Sequence, residues 1–186
     1  VGRPVFGVEV QVVDDGHRPL PAGQVGRIRY RGPAVADGFY RDPEASQDSF
    51  RDGWFYPGDL GDFDEEGFLY LKGRAKDMII RGGENISCIE VEDAIYTHPC
   101  VGEASVFGLP DEKFGEVPAA VYLAKDDCSA TEDELRAFLK EHIAPFNIPV
   151  KFWEVHEALP RLGTEKVDKR ALRATYTQEW LTTQSA

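Results

Sequence analysis

GRAKDMIIRGGENISCIE, the stretch from Gly73 to Glu90, places a cation, a charged joint, a short apolar strand, a glycine pair and a helix start in one run. That order marks a boundary between two bodies with a hinge at the charged joint. Its end is the clearest local signal. Ser87-Cys88-Ile89-Glu90 is a capping box, in which a serine hydroxyl and a glutamate three residues later satisfy each other's free backbone N–H groups, so a helix is expected from Ser87 to His98, where Pro99 stops it.

Immediately upstream, the apolar runs Leu60 to Phe63 and Phe68 to Lys72 flank the turn Asp64-Glu65-Glu66-Gly67, a β-hairpin pattern. Counting outward from the turn puts Asp59 and Arg74 near the open ends of adjacent strands, which lie about 5 Å apart. A carboxylate that accepts two hydrogen bonds suits the vicinal hydroxyls of a ribose, and a guanidinium adds forked donors. A surface salt bridge closing the hairpin is the equally available reading. Earlier still, Val5 to Val13 and Gly26 to Arg31 read as strands around the Pro/Gly-rich loop HRPLPAGQ. From Gly32 to Asp52 no period holds, and Phe39, Tyr40 and Phe50 are expected to pin an irregular surface segment.

Downstream, Val101 to Gly108 and Val117 to Leu123 read as strands joined by the loop LPDEKFGE. Thr131 to Glu134 is a second capping box whose helix shows Leu135, Phe138 and Leu139 on one face. Lys151 to Val155 is another strand, a last helix begins near Val167 or Asp168, and fraying is expected after Trp180. The sequence of helix, strand, strand, helix and strand defines an α+β module.

Two further places could carry chemistry. Arg81-Gly82-Gly83 lets backbone approach a ligand and precedes the positive end of a helix, although a glycine pair is also a plain turn. Pro160 to Arg173 is a cationic island, with Arg161, Lys166, Lys169, Arg170 and Arg173 against Glu165 and Asp168. The last three cations read as a solvated helix face. Lys166, behind Gly163-Thr164, is placed to reach a phosphate or carboxylate.

Composition sets outer limits. The 186 residues suit one larger domain or two small ones, and 42% apolar residues supply an ordinary core. A net charge of −12 argues against a general nucleic-acid or polybasic membrane binder. No apolar run approaches the roughly 18 residues of a membrane span. The four histidines lack ligand spacing, and Cys88, Cys100 and Cys128 form no CxxC pair, so neither a metal site nor a disulfide framework is expected and a reducing cytoplasm fits. The chain opens at Val1 in mid-pattern, as a piece of something longer would; oligomeric state cannot be read.

Together these segments resemble the C-terminal part of the acyl-adenylate-forming enzymes, the superfamily of AMP-forming acyl-CoA synthetases, peptide-synthetase adenylation domains and beetle luciferases. GQVGRIRYRGPAVADGFYRDP is similar to the superfamily's GELxxxGxxxxxGYxxxP segment, GWFYPGDLG to its YxTGD motif, GRAKDMIIRGGENISCIEVED to its hinge motif, and LPRLGTEKVDKRAL to its terminal PxTxxGKxxR motif. Pro57 stands where the superfamily has threonine and Glu165 where it has glycine. Basic residues common after the aromatic position are missing at Ile148 and Val150.

The resemblance implies an α+β fold in two parts, residues 1–75 as the β-rich tail of a large N-terminal domain and residues 76–186 as a small mobile C-terminal domain hinged at Lys76. It implies ATP, with accompanying Mg²⁺, and CoA as cofactors, a carboxylic acid as substrate, and the missing N-terminal domain of the same protein as partner. Asp59 would hold the ribose hydroxyls and Arg74 the ribose or phosphate region. Lys166 would be the catalytic lysine of adenylation. Gly82 and Gly83 would border the pantetheine channel, and Phe146 would lie near the CoA adenine. The superfamily's phosphate loop and acyl pocket lie upstream of anything present, so the chain is expected to be roughly the last third of a carboxylate–CoA ligase, inactive alone. A domain that loads a tethered carrier, or a non-catalytic nucleotide- or CoA-binding module, is the alternative.

Overall fold

The structure is a computed structural model that describes residues 2–126 and 128–184. The chain divides into two compact units, Val1–Lys76 and Asp77–Ala186.

The first unit is built from β1 (Glu9–Val13), β2 (Gly26–Arg31), the short helix α1 (Pro43–Ser49), β3 (Phe50–Arg51), β4 (Trp54–Phe55), β5 (Asp59–Phe63) and β6 (Leu69–Arg74). Its described strands form one sheet in the order β3-β4-β2-β5-β6, with β1 along β2. Val12, Val13, Ile28 and Trp54 are buried in it, and the guanidiniums of Arg29 and Arg31 each stack 4.3 Å from the Trp54 ring, which covers an aromatic face with cations. Asp64 closes the β5–β6 turn by accepting from Phe68 N at 2.8 Å and Glu66 N at 3.0 Å.

One element here corrects the sequence reading. The segment expected to be irregular contains α1, started by Asp42, whose side chain accepts from Ala45 N at 3.0 Å, with Pro43 as the first helical residue. An Asp-Pro pair is a helix-start signal with a mechanism, since the cap satisfies a free N–H and proline fixes φ where no N–H is needed.

The second unit comprises β7 (Ile79–Arg81), β8 (Glu84–Ile86), α2 (Cys88–Tyr96), β9 (Val101–Asp111), β10 (Gly115–Ala124), α3 (Glu132–Leu139), β11 (Lys151–Val155) and α4 (Lys169–Gln184). Its fold is α+β. β10 pairs antiparallel with β9 and β7 and parallel with β11. Alternate residues of β9 and β10 feed opposite cores: Ala104, Val106, Ala120 and Tyr122 pack with Val91 and Ile95 of α2 and Leu135 and Leu139 of α3, whereas Phe107, Leu109, Ala119 and Val121 pack with Leu172 of α4. A sheet covered on both faces explains why these strands read as unbroken apolar runs rather than as alternation. The expected LPDEKFGE loop is correspondingly shorter, because Leu109 to Asp111 and Gly115 to Glu116 extend the two strands.

Both helix caps form. Ser87 accepts from Glu90 N at 3.3 Å, and Thr131 and Glu134 complete a reciprocal box. α4 runs through Gln184, past Trp180; residues 185 and 186 lie outside the described residues.

The cysteine expectation is overturned. Cys100 and Cys128 form a disulfide, with Cα atoms 5.3 Å apart. Lys125 brings them together: its N–H donates to Cys100 O at 2.8 Å and its Nζ to Pro99 O at 2.8 Å, folding the end of β10 back beside the start of β9. Sequence separation hid this pairing, which only the β9–β10 hairpin creates. No helix among the described residues is long and apolar enough to cross a membrane.

Candidate functional site

In the first unit the hairpin register sets Asp59 opposite Arg74, with Oδ1 3.4 Å from Nε. The adjoining loop is tied to the same place, since Ala75 N donates to Gly58 O at 2.9 Å and Gly58 takes φ +84°. A cavity of about 630 Å³ opens there, lined by Arg27, Asp48, Pro57, Gly58, Arg74, Ala75 and Lys76. A second, of about 420 Å³, shares Arg27, Asp48, Pro57 and Gly58 and adds His17 and Tyr56, whose hydroxyl accepts from Arg29 Nη1 at 3.0 Å and lies 3.0 Å from His17 Nδ1.

The three cations that line the first cavity suit an anion, and the Asp59 carboxylate, paired with Arg74, suits hydroxyl donors. Burial, together with the negative charge of Asp59, pushes the Tyr30 phenol above its usual range. Arg27 and Asp48 had no place in the sequence reading. Their signal was faint: an arginine within an alternating strand and an aspartate in a helix that no period revealed.

Lys76 is exposed in a single 3-10 turn, Ala75–Asp77. The other candidates belong to the second unit. Gly82 and Gly83 do not open a helix: with φ +58° and +94° they are the two-residue turn of the β7–β8 hairpin, between the paired Arg81 and Glu84, and α2 starts only at Cys88. Of the two readings of the pair, the plain turn is the one the register shows, and the helix it precedes is capped at Ser87 as expected. Gly82 N donates to Phe114 O at 2.8 Å, and the Arg81 guanidinium lies 4.3 Å from the Phe114 ring centroid, which ties the turn to the β9–β10 connection. Phe146 is 38% exposed in the turn Pro145–Asn147.

Lys166 lies in the connection between β11 and α4, its side chain exposed. Arg170 is exposed, as expected of a solvated helix face, but Lys169 and Arg173 are held in ion pairs. Lys169 pairs with Glu92 at 2.6 Å and Arg173 with Glu116 at 2.5 Å, and Glu116 also accepts from Ile80 N, so these two cations pin α4 to α2 and to β10.

Residues 90–166 match the family of AMP-binding enzyme C-terminal domains. Oxalate–CoA ligase of Saccharomyces cerevisiae is 42% identical over 178 residues, which are 95% of this chain and 32% of that protein. 2-Succinylbenzoate–CoA ligase of Geobacillus kaustophilus is 41% identical over 172 residues, 92% of this chain and 35% of that one. The crystal structure of ATP-bound MatB from Rhodopseudomonas palustris matches with a TM-score of 0.88 and 38% identity, over 95% of this chain and 35% of its own. The chain belongs to the acyl-adenylate-forming enzymes and corresponds to their C-terminal portion. It spans about a third of the length of the curated relatives it matches, and those relatives are carboxylate–CoA ligases.

Proposed function

We propose that the chain is the C-terminal part of an AMP-forming carboxylate–CoA ligase. The observation that carries this reading is similarity to two such ligases over 95% and 92% of the chain, rather than over one motif. In the first step a substrate carboxylate oxygen attacks the α-phosphorus of ATP and pyrophosphate leaves, giving an acyl-AMP. In the second the CoA sulfur, having lost its proton, attacks the acyl carbonyl and AMP leaves.

Asp59 accepts hydrogen bonds from the ribose hydroxyls, and Arg74 supplies donors beside them; their 3.4 Å approach, with Arg74 lining the cavity, supports the pairing of roles. Mg²⁺ arrives with the ATP phosphates, which need only one or two protein carboxylates to hold it, and Asp48 is a carboxylate lining that cavity. Lys166 places a cation where charge develops on the phosphoryl group during adenylation. Lys76 is the pivot on which the small domain turns between the steps. Gly82 and Gly83 then border the thiol's path, and Phe146 meets the CoA adenine. Alone, without a phosphate loop and acyl pocket, the chain makes no acyl-AMP. ATP and CoA as substrates favour the cytoplasm, where the Cys100–Cys128 bond has to form against a reducing thiol pool.

The test is Lys166→Ala in the protein with its complete large domain. Acyl-AMP formation should fall about 10²–10³-fold, while thioester formation from supplied acyl-AMP stays within a few-fold. Equal loss of both half-reactions overturns the assignment.

A further inference from the structure

The turn that carries Lys166 is closed by more than its own backbone. Leu162 N donates to Lys166 O at 2.8 Å, Glu165 N to Leu162 O at 2.9 Å and Asp168 N to Pro160 O at 2.7 Å, and Arg161 and Val167 pair as an antiparallel bridge. One side chain reaches across these bonds. Arg161 Nη1 donates to Glu165 O at 2.8 Å, inside the turn, and Arg161 Nη2 donates to Glu103 Oε1 at 2.8 Å, on β9. The second Glu103 oxygen accepts from Leu159 N at 3.4 Å, at the entry to the same segment. A single β9 carboxylate therefore holds the approach to the turn and the arginine that holds its far side.

Glu165 takes φ +63°, a region that costs an L-residue with a Cβ about 1–2 kcal/mol. Its carbonyl is the one that Arg161 holds, one residue before Lys166. Half-exposed ion pairs stabilise a fold little, so the value of this one lies in geometry.

We infer that Arg161 and Glu103 are positioning residues for Lys166: a fork-and-carboxylate clamp that fixes the turn on β9 and so aims the ammonium. The inference rests on the assignment of Lys166 to adenylation. A lysine has four rotatable side-chain bonds, and aiming it at developing charge requires that its backbone, at least, not wander.

The clamp can be read in two assays. In this chain, a lysine-specific protease should cut after Lys166 about tenfold faster in Arg161→Ala and Glu103→Gln, relative to cutting after Lys151 in β11, because an unclamped turn opens without the sheet unfolding. In the protein with its complete large domain, both variants should lower kcat for acyl-AMP formation about 10–100-fold and leave KM for ATP and the thioester half-reaction within about threefold. Arg161→Lys, which keeps a donor but not the fork, should recover part of that loss. If Lys166→Ala in the same assay leaves adenylation intact, the functional reading fails. If Lys166→Ala abolishes it and the clamp variants do not lower it, the clamp is wrong. Equal acceleration of cutting at Lys151 and Lys166, or equal loss of both half-reactions, would mean a purely structural role and would also overturn it.

Discussion

Lys169 Nζ lies 2.6 Å from Glu92 Oε1, and the same carboxylate oxygen accepts from Val106 N at 2.7 Å while Lys169 reaches Val106 O at 3.5 Å. β9 is hydrogen-bonded to β10 along one side, and on its other edge Ala104 and Val106 are satisfied by side chains. Tyr96 OH does for Ala104 what the ion pair does for Val106, donating to its carbonyl and accepting from its N–H. Backbone groups satisfied in this way are not available to template pairing with another chain.

Glu92→Ala should therefore cost this chain about 2–3 kcal/mol, because it leaves a buried N–H without an acceptor and a half-buried ammonium without a partner. Lys169→Met, which removes the charge but keeps the stem, should cost only about 1 kcal/mol. Urea unfolding measures both, and equal effects from the two variants would contradict the argument.

Asp59→Asn separates the two readings of the Asp59–Arg74 pair. As an exposed-end salt bridge its loss should change stability by under about 1 kcal/mol. If the carboxylate holds ribose hydroxyls, KM for ATP in the protein with its complete large domain should rise about tenfold or more, at 1–3 kcal/mol per charge-assisted hydrogen bond. An unchanged KM would leave Asp59 a hairpin closure.

The cysteines give a direct count. Burial pushes the Cys88 thiol up to about 12, with Lys169 only partly offsetting it, and its Sγ donates to Asp77 O at 2.9 Å. A thiol reagent at about pH 8 should find none of the three cysteines in the folded chain, one after unfolding without reductant, and all three after reduction. Breaking the Cys100–Cys128 link, 28 residues apart, should lower stability by up to about 3–4 kcal/mol. Three reactive thiols in unreduced, unfolded protein would rule the bond out.

α3 should contribute to acid sensitivity. Burial raises the Glu132 carboxyl, but Lys151 at 2.8 Å and Arg136 at 2.6 Å outweigh it, and the folded value falls below the ordinary 4.5. The Thr131 N–H, donating at 2.8 Å, likewise lowers Glu134. Carboxyls depressed by folding stabilise fully above their unfolded value and lose that contribution as pH falls through the folded one. Urea midpoints should thus decline below about pH 4.5, and Glu132→Gln should flatten the decline. A wild-type profile flat down to about pH 3 would contradict the assignment.

Local chemistry was legible wherever a residue acts on its own neighbours. The Thr131–Glu134 box, the β5–β6 hairpin and the Asp59–Arg74 register follow from short spacings, because capping and turn closure are settled within a few residues. The helix behind Asp42-Pro43 was also written locally and was obscured by the lack of an apolar stripe, since no residue of α1 is buried.

What the sequence determined by itself, then, is the alternation of elements, their caps and, through the ordered motifs, membership in a superfamily. The tertiary structure decided everything that depends on strands meeting across long stretches of chain. It joined Cys100 to Cys128, turned Gly82-Gly83 into a hairpin tied to Phe114, set Glu92 and Lys169 on the edge of β9, and brought Glu103 beneath the turn of Lys166. The physical reason is common to all four. Each depends on the β9–β10 hairpin or on packing against it, and side chains separated by tens of residues become neighbours only once a sheet buried on both faces has fixed their register.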